Sequence, residues 1–452
     1  MRALSVWMNG EQVGLWTQGR GNTHKLTYVD SWLQSPHCRS LSLSLPISAN
    51  LTITGPVVEN YFDNLLPDND RIRKRIAQLY KTKSQDAFDL LEQIGRDCVG
   101  AVQLLPPDEM PRAWNQLQFD PLNTAQIAQL LRDTPGSQGF LDREREDYRI
   151  SLAGAQEKTA LLKVGDQWCK PKGATPTSHI FKLPMGIIGG QNLNWQYSVE
   201  NEWLCLKLLG ELGLPVTHAD IGQFEDQKAL IVERFDRQWM NQNPTQTIAP
   251  TNNAADKPWL ARLPQEDFCQ IFGLPPSLKY ESDGGPGIES CIHVLSKSQN
   301  AAVDIQIFLL SQLAFWLLGA IDGHAKNFSI RLNARDQYEL TPLYDVLSAW
   351  PVMGKRADQL SSHRAKMAMA IRGRNPHYQV NEIQTRHWQA LAKKQGGEPT
   401  WNNFLSLLDQ VEPAIARIKE QLPQSFAMEV ANPIFKGMLH QKAKFLKGLW
   451  LG

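Results

Sequence analysis

The run Ile305-Gln-Ile-Phe-Leu-Leu-Ser-Gln-Leu-Ala-Phe-Trp-Leu-Leu-Gly319 is apolar almost all round. A helix that is hydrophobic on every side has to be buried, so the rest of the chain must fold around this one. It carries Gln and Ser and is shorter than a bilayer span requires, which makes it a core helix. Polar Asp322, His324 and Asn327 crowd onto its exit. A loop carried at the end of a rigid element is where function usually sits.

The spacing within that exit is specific. Asp322 and Asn327 are five apart in Asp322-Gly-His-Ala-Lys-Asn327, and Asp345 follows in Pro342-Leu-Tyr-Asp345. Two short β-type runs, Phe328–Arg331 and Tyr338–Thr341, lie between them around a polar turn. This loop, hairpin, loop order would bring Asn327 and Asp345 near one metal ion. Phosphoryl transfer from ATP needs a carboxylate to accept the attacking hydroxyl's proton, with an Asn and a second carboxylate holding magnesium on the phosphates. Protein kinases use an Asp, an Asn five residues on and a later Asp.

Composition sets the outer bounds. The chain has 452 residues, enough for two or three domains. A net charge of +1 gives no general bias toward nucleic acid or membrane. Six scattered cysteines form no Cys-x-x-Cys pair and no zinc spacing. They read as free thiols in a reducing cytosol, with Cys205 and Cys269 as core residues. The polar N-terminus is no signal peptide. The expected location is cytoplasmic.

Along the chain, Leu4–Met8, the turn Asn9-Gly10 and Gln12–Trp16 read as a hairpin. Leu41–Leu45 alternates as a half-buried strand does. Asn69–Arg75 is a capped helix start with a basic face, and Ala87–Ile94 a second helix. Basic clusters of this kind, at Asn69–Arg75, at Arg372-Gly-Arg374 and in the amphipathic end Phe435–Lys447, ordinarily face water. DNA phosphates are the alternative. Residues 105–145 are Pro-rich and then charged (Asp142–Asp147), as a boundary or crossing linker would be.

Arg149–Leu162 reads as two strands around a tight turn, with Gly154 permitting close backbone approach to a phosphate. It is neither a Walker A loop nor G-x-G-x-x-G. Lys182 stands in an apolar strand, and Glu202 follows in the helix Val199–Leu209. A strand Lys paired with a helix Glu orients the α/β-phosphates in kinases, although Glu200 and Asn201 are open as the polar partner. Ala229–Arg237 is an apolar strand whose polar end, near Glu233 and Phe235, could take adenine on backbone groups. Residues 241–258 read as a surface insertion, Leu263–Phe272 starts a helix, and the Gly-rich loop Lys279–Gly287 has no derivable role.

Taken together, Ser151–Thr159, Phe181–Pro184, Val232–Arg237, Leu263–Asp267, Asp322–Asn327 and Tyr344-Asp345 closely resemble the HipA family. These are serine/threonine kinase toxins of bacterial type II toxin–antitoxin modules. Tyr61–Pro67 resembles that family's first domain. The resemblance implies an α+β, two-lobed, protein-kinase-like fold related to lipid kinases. Its parts would be a mixed α/β subdomain over 1–110, a linker over 111–148, a nucleotide-binding lobe over 149–260 and a helical catalytic lobe over 261–452.

The same resemblance implies roles. Asp322 would be the base, with Asn327 and Asp345 as magnesium ligands. Lys182 would contact the phosphates of ATP, and Ala153, Gly154, Ala155, Gln156, Glu157 and Lys158 would form the phosphate loop. Glu233, Arg234 and Phe235 would take the adenine, with His324 and Tyr344 beside the nucleotide. Ser151 would be autophosphorylated, and a dianion there could not share the site with ATP. The implied partners are a HipB-like helix-turn-helix antitoxin, operator DNA through that antitoxin, and a protein substrate of the aminoacyl-tRNA synthetase class, with no membrane. Two other readings use the same residues. One is a small-molecule or lipid kinase, since function lives in the substrate groove. The other is a co-repressor with a vestigial nucleotide site.

Overall fold

The structure is a computed structural model that describes residues 1–135, 150–154, 156–188, 193–241 and 257–450. The charged run Asp142–Asp147, Arg149, Ala155 and most of the 241–258 stretch lie outside the described residues. Two compact units divide the chain. One comprises Met1–Leu183, Gly222–Ser277 and Ser329–Tyr338; the other comprises Pro184–Ile221, Leu278–Phe328 and Glu339–Gly452.

The first unit opens with an antiparallel sheet of β1 (Arg2–Met8), β2 (Glu11–Gln18), β3 (His24–Tyr28), β4 (Thr52–Thr54) and β5 (Gln103–Leu105), in the order β4-β3-β2-β1-β5. The hairpin expected around Asn9-Gly10 is its first turn. Trp16 is fully buried and stacks on Phe62 at 4.0 Å, which fixes helix Pro56–Asp63 against the sheet. Helix Asp70–Tyr80 starts where its cap was expected, with the Asn69 side chain accepting from the Arg71 N–H. Its basic face is not simply solvated. Arg73 donates to Asp63 at 2.6 Å, and Arg75 grips both oxygens of Glu157 at 2.7 and 2.5 Å.

Leu41–Leu45 is a turn rather than a strand. Ser42 and Leu45 close it with a single bridge, and Leu41 and Leu45 are buried. The alternating serines are inward too. Ser42 Oγ donates to Glu266, and Ser44 Oγ donates to the Gln270 carbonyl at 2.6 Å. A period of two therefore arose from tertiary hydrogen bonding, not from a sheet face.

Glu266 is buried and also accepts the Leu43 N–H at 2.9 Å. Burial, outweighing these hydrogen bonds, pushes its carboxyl up to about 8. The unfolded chain loses that proton near pH 4.3. Between these values the folded state holds a proton the unfolded state has released, so stability falls as pH rises and levels off above the folded value. Glu266→Gln does not titrate, and its amide can still accept the Leu43 N–H while its NH2 donates to Ser42 Oγ. Urea unfolding from pH 5 to 8.5 should show the wild type losing on the order of 1 kcal/mol per pH unit relative to the variant. Parallel curves would refute the buried acid.

A second sheet of this unit contains β6 (Phe119–Pro121), β7 (Lys158–Val164), β8 (Gln167–Pro171) and β9 (His179–Lys182). Strands Ala219–Phe224 and Gln227–Glu233 extend it, in the order 219–224, 227–233, β9, β7, β8, β6. Among the described residues, 150–162 supply one strand of it, not two; ahead of β7, residues 150–154 make two isolated bridges, Ile150 to Asp97 and Gly154 to Pro67.

The second unit is built on helix Ala301–Leu318, closed by Gly319. By length and composition this helix could cross a membrane, but 61% of it is buried inside the protein, as a core helix is. Phe308 and Phe315 pack on Phe328, and Trp316 Nε1 donates to the Val380 carbonyl at 3.1 Å. The expected helical end consists of Thr385–Gln395, Glu398–Asp409, Val411–Gln421 and Met428–Lys447.

Candidate active site

In the second unit the buried helix delivers the chain into Asp322–Asn327, where residues 325–327 form a 3-10 turn. The His324 N–H donates to the Asp322 carbonyl at 2.8 Å, and the Asn327 N–H to the His324 carbonyl at 2.9 Å. Asn327 Nδ2 then reaches two carbonyls, of Asp322 at 2.8 Å and of Asp345 at 3.4 Å. Two carbonyl acceptors require the NH2 side of the amide there, which turns Oδ1 elsewhere. Asp345 itself holds a left-handed backbone, φ 57°, of the strained kind that clusters at functional sites.

Neighbouring elements hold these loops. The two short runs expected between Asn327 and Asp345 are strands Ser329–Leu332 and Tyr338–Leu340. Leu343 bridges Val216, and Tyr344 donates from its hydroxyl to the Lys326 carbonyl at 2.9 Å. Asn201, on helix Ser198–Glu211, donates to the Ser348 carbonyl and accepts the Ser348 N–H, both at 2.8 Å. Its amide is therefore committed to the loop that follows Asp345. Glu200 and Glu202 are buried on the same helix. His324 is buried, whereas the Asp322 side chain is 61% exposed and open to solvent.

Asn327 Oδ1 and the Asp345 carboxylate offer hard oxygen donors. Among the described residues no cluster of three or more His, Cys, Asp or Glu could hold a metal. One amide oxygen and one carboxylate would fit magnesium, which is typically held by one or two carboxylates plus substrate phosphates and keeps several waters.

In the first unit, residues 151–154 run along the Leu65–Asp68 segment. Ser151 is fully buried, with its N–H on the Asp97 carbonyl at 3.0 Å and its Oγ donating to the Leu65 carbonyl at 2.7 Å. Gly154 has φ 104°, a left-handed backbone that favours glycine, and the mobile tip of Lys158 lies 2.6 Å from where a Cβ would stand. The Lys158 ammonium donates to the Ala153 carbonyl. Gln156 Nε2 donates to the Leu183 carbonyl at 2.5 Å, and the Glu157 carboxylate is committed to Arg75. Lys158 on β7 lies directly opposite buried Lys182 on β9. Like charges facing each other across strands are unfavourable.

Strand Gln227–Glu233 ends at the expected adenine segment. Glu233 is exposed and Phe235 half-buried. Arg234 points elsewhere. Its N–H donates to the Ser178 carbonyl at 2.9 Å, and its guanidinium meets Asp236, Thr177 and the Cys98 carbonyl at 2.7 to 2.9 Å.

Sequence reasoning missed two contributors. Tyr280 donates from its hydroxyl to Asp322 Oδ1 at 2.6 Å, from the Gly-rich loop that had no assigned role. Asp97, whose backbone carbonyl anchors Ser151, carried no sequence signal, because its side-chain partners lie 80 to 165 positions away.

Comparison with known proteins gives the family and the fold. Residues 4–105 match the HipA N-terminal domain and residues 150–426 the HipA-like C-terminal domain. The Sinorhizobium fredii protein Y4mE is 32% identical over 455 residues, covering 99% of both chains. The serine/threonine-protein kinase toxin HipA of Shewanella oneidensis is 27% identical, over 90% of this chain and 84% of that one. A solved complex of Shewanella oneidensis HipA with HipB and operator DNA matches with a TM-score of 0.76 at 24% identity, covering 98% of this chain and 97% of that chain. The fold is thus the expected α+β, kinase-like one. With both domain types matched in order and a relative aligned along its full length, this chain belongs to the HipA family.

Proposed function

We propose that the chain is an ATP- and magnesium-dependent serine/threonine protein kinase acting as the toxin of a toxin–antitoxin module. The observation that carries this reading is the Asn327 amide, which ties the backbones of Asp322 and Asp345 into one constellation. Asp322 accepts the proton of the attacking hydroxyl. Asn327 Oδ1 and the Asp345 carboxylate hold magnesium, which when bound neutralises phosphate charge. Lys182 and the 153–158 segment bind the phosphates. Backbone groups of Glu233 and Phe235, on either side of the committed Arg234, take the adenine, with His324 and Tyr344 beside the nucleotide.

Ser151 is the proposed site of self-inactivation. A phosphoserine cannot keep its place against the Leu65 carbonyl in a buried setting, so modification would expel the segment. The proposed location is the cytoplasm. The proposed partners are a HipB-like helix-turn-helix antitoxin and, through it, operator DNA. The proposed target is a translation component of the aminoacyl-tRNA synthetase class, phosphorylated to arrest growth.

Incubating unphosphorylated protein with labelled ATP and magnesium, followed by peptide mass spectrometry, tests the reading. Label is expected on Ser151 and on a protein substrate. ATP turnover on a soluble alcohol or lipid headgroup, with no labelled protein, would move the chain to the small-molecule kinases. No ATP binding would leave a co-repressor.

A further inference from the structure

We propose that Tyr280 is a positioning residue for the base, held in place by the strap Lys279–Glu281. This inference rests on the kinase reading of Asp322. A carboxylate that must take a proton from one hydroxyl needs a fixed direction, and the Asp322 side chain is 61% exposed, with little packing to give it one. Tyr280 supplies it. Its hydroxyl donates to Oδ1 at 2.6 Å, within the range of a charge-assisted O–H···O⁻ bond. Oδ2 stays 4.0 Å from His324 Nε2, beyond hydrogen-bond reach, and is left for the substrate proton.

The tyrosine is itself held on three sides. Its ring meets His324 edge-on, with centroids 5.2 Å apart at 83°. The Lys279 carbonyl before it accepts the Ala325 N–H at 3.2 Å, which stitches the strap to the catalytic loop. Glu281 after it is 7% exposed, accepts the Ala370 N–H at 2.6 Å and pairs with Arg372. The strap then folds back on itself, with the Gly285 N–H donating to the Tyr280 carbonyl at 2.9 Å. A Cβ at Gly285 would stand 2.1 Å from the Leu278 carbonyl oxygen, so the glycine is what lets the loop close over Tyr280. Arg372, which the sequence offered as a solvent-facing or DNA-facing cation, is one end of this brace.

Tyr280→Phe keeps the ring against His324 and removes only the hydroxyl. The expected result is a kcat about tenfold lower, the loss of one hydrogen bond to a charged acceptor, with KM for ATP within about twofold and an unchanged melting temperature. Glu281→Gln, which weakens the Arg372 end, should lower kcat in the same direction by less. These are measured beside the wild type and Asp322→Asn. An active wild type, an inactive Asp322→Asn and a Tyr280→Phe kcat equal to or above the wild type would overturn the positioning role while sparing the kinase reading. Equal activity in the wild type and Asp322→Asn would overturn the kinase reading, and this inference with it.

Discussion

Asp322→Asn should lower kcat by roughly 10²- to 10⁴-fold, the usual contribution of a positioned general base. That is about 3–5 kcal/mol of transition-state stabilisation. The fold should not register the change. The contacts Asp322 makes through its backbone, to the His324 N–H and to Asn327 Nδ2, do not involve the carboxylate. Asparagine keeps an Oδ1 to accept from Tyr280. On the proposed reading KM for ATP should hold, because a general base would meet the incoming hydroxyl and not the nucleotide. Single-turnover phosphorylation, ATP titration and thermal unfolding of both proteins check the three statements together. If Asp322→Asn kept its rate to within a few-fold, the base would have to be another group.

What could be read from the sequence was whatever local physics decides. The Asn69 cap, the helix Ala87–Ile94 and the hairpin at Asn9-Gly10 follow from capping, periodicity and turn chemistry within a few residues. The buried helix and its polar exit were equally plain, since an all-round apolar run has few alternatives. What escaped was decided at long range. The alternation in Leu41–Leu45 looked like a strand because hydroxyl groups bonded to Glu266 and Gln270 carry the same period as a sheet face. The basic face of helix Asp70–Tyr80 looked solvated because Glu157 lies 82 positions beyond Arg75. Tyr280 was invisible for the same reason, 42 positions before the carboxylate it contacts. The glycines around it were a usable signal. A loop rich in glycine beside an aromatic residue is a loop that must close tightly on something.

Asp97→Asn should be the most damaging single change to the first unit, at about 3–5 kcal/mol. Arg234, Arg237 and Arg262 surround Asp97 and Asp236, all buried, so three guanidiniums already face two carboxylates. Asp97 Oδ1 accepts from Arg237 at 2.9 Å and Arg262 at 3.0 Å; Oδ2 accepts the Thr177 N–H at 3.1 Å and its hydroxyl at 2.8 Å. Asparagine would remove the charge and turn an NH2 toward a ring of donors, leaving buried cations uncompensated. Burial alone pushes the Asp97 carboxyl up, but Arg237, Arg262 and Arg234 together outweigh it and hold it well below the usual carboxylate range.

The sign of the pH dependence follows from that shift. A depressed carboxyl contributes stability above its unfolded value, near pH 3.9, and loses it as pH falls toward the folded value. The wild type should therefore lose stability in acid more steeply than the variant, with the gap between them widest near neutral pH. Because the Asp97 carbonyl also accepts the Ser151 N–H, the variant should exchange the Ser151 amide faster by hydrogen–deuterium exchange. Urea unfolding at pH 7 and near pH 2.5, inside the window where the contribution is lost, decides the matter. A loss below about 1 kcal/mol at pH 7 would mean that the arginines are neutralised by their carbonyl contacts, and that Asp97 is not the centre of the cluster.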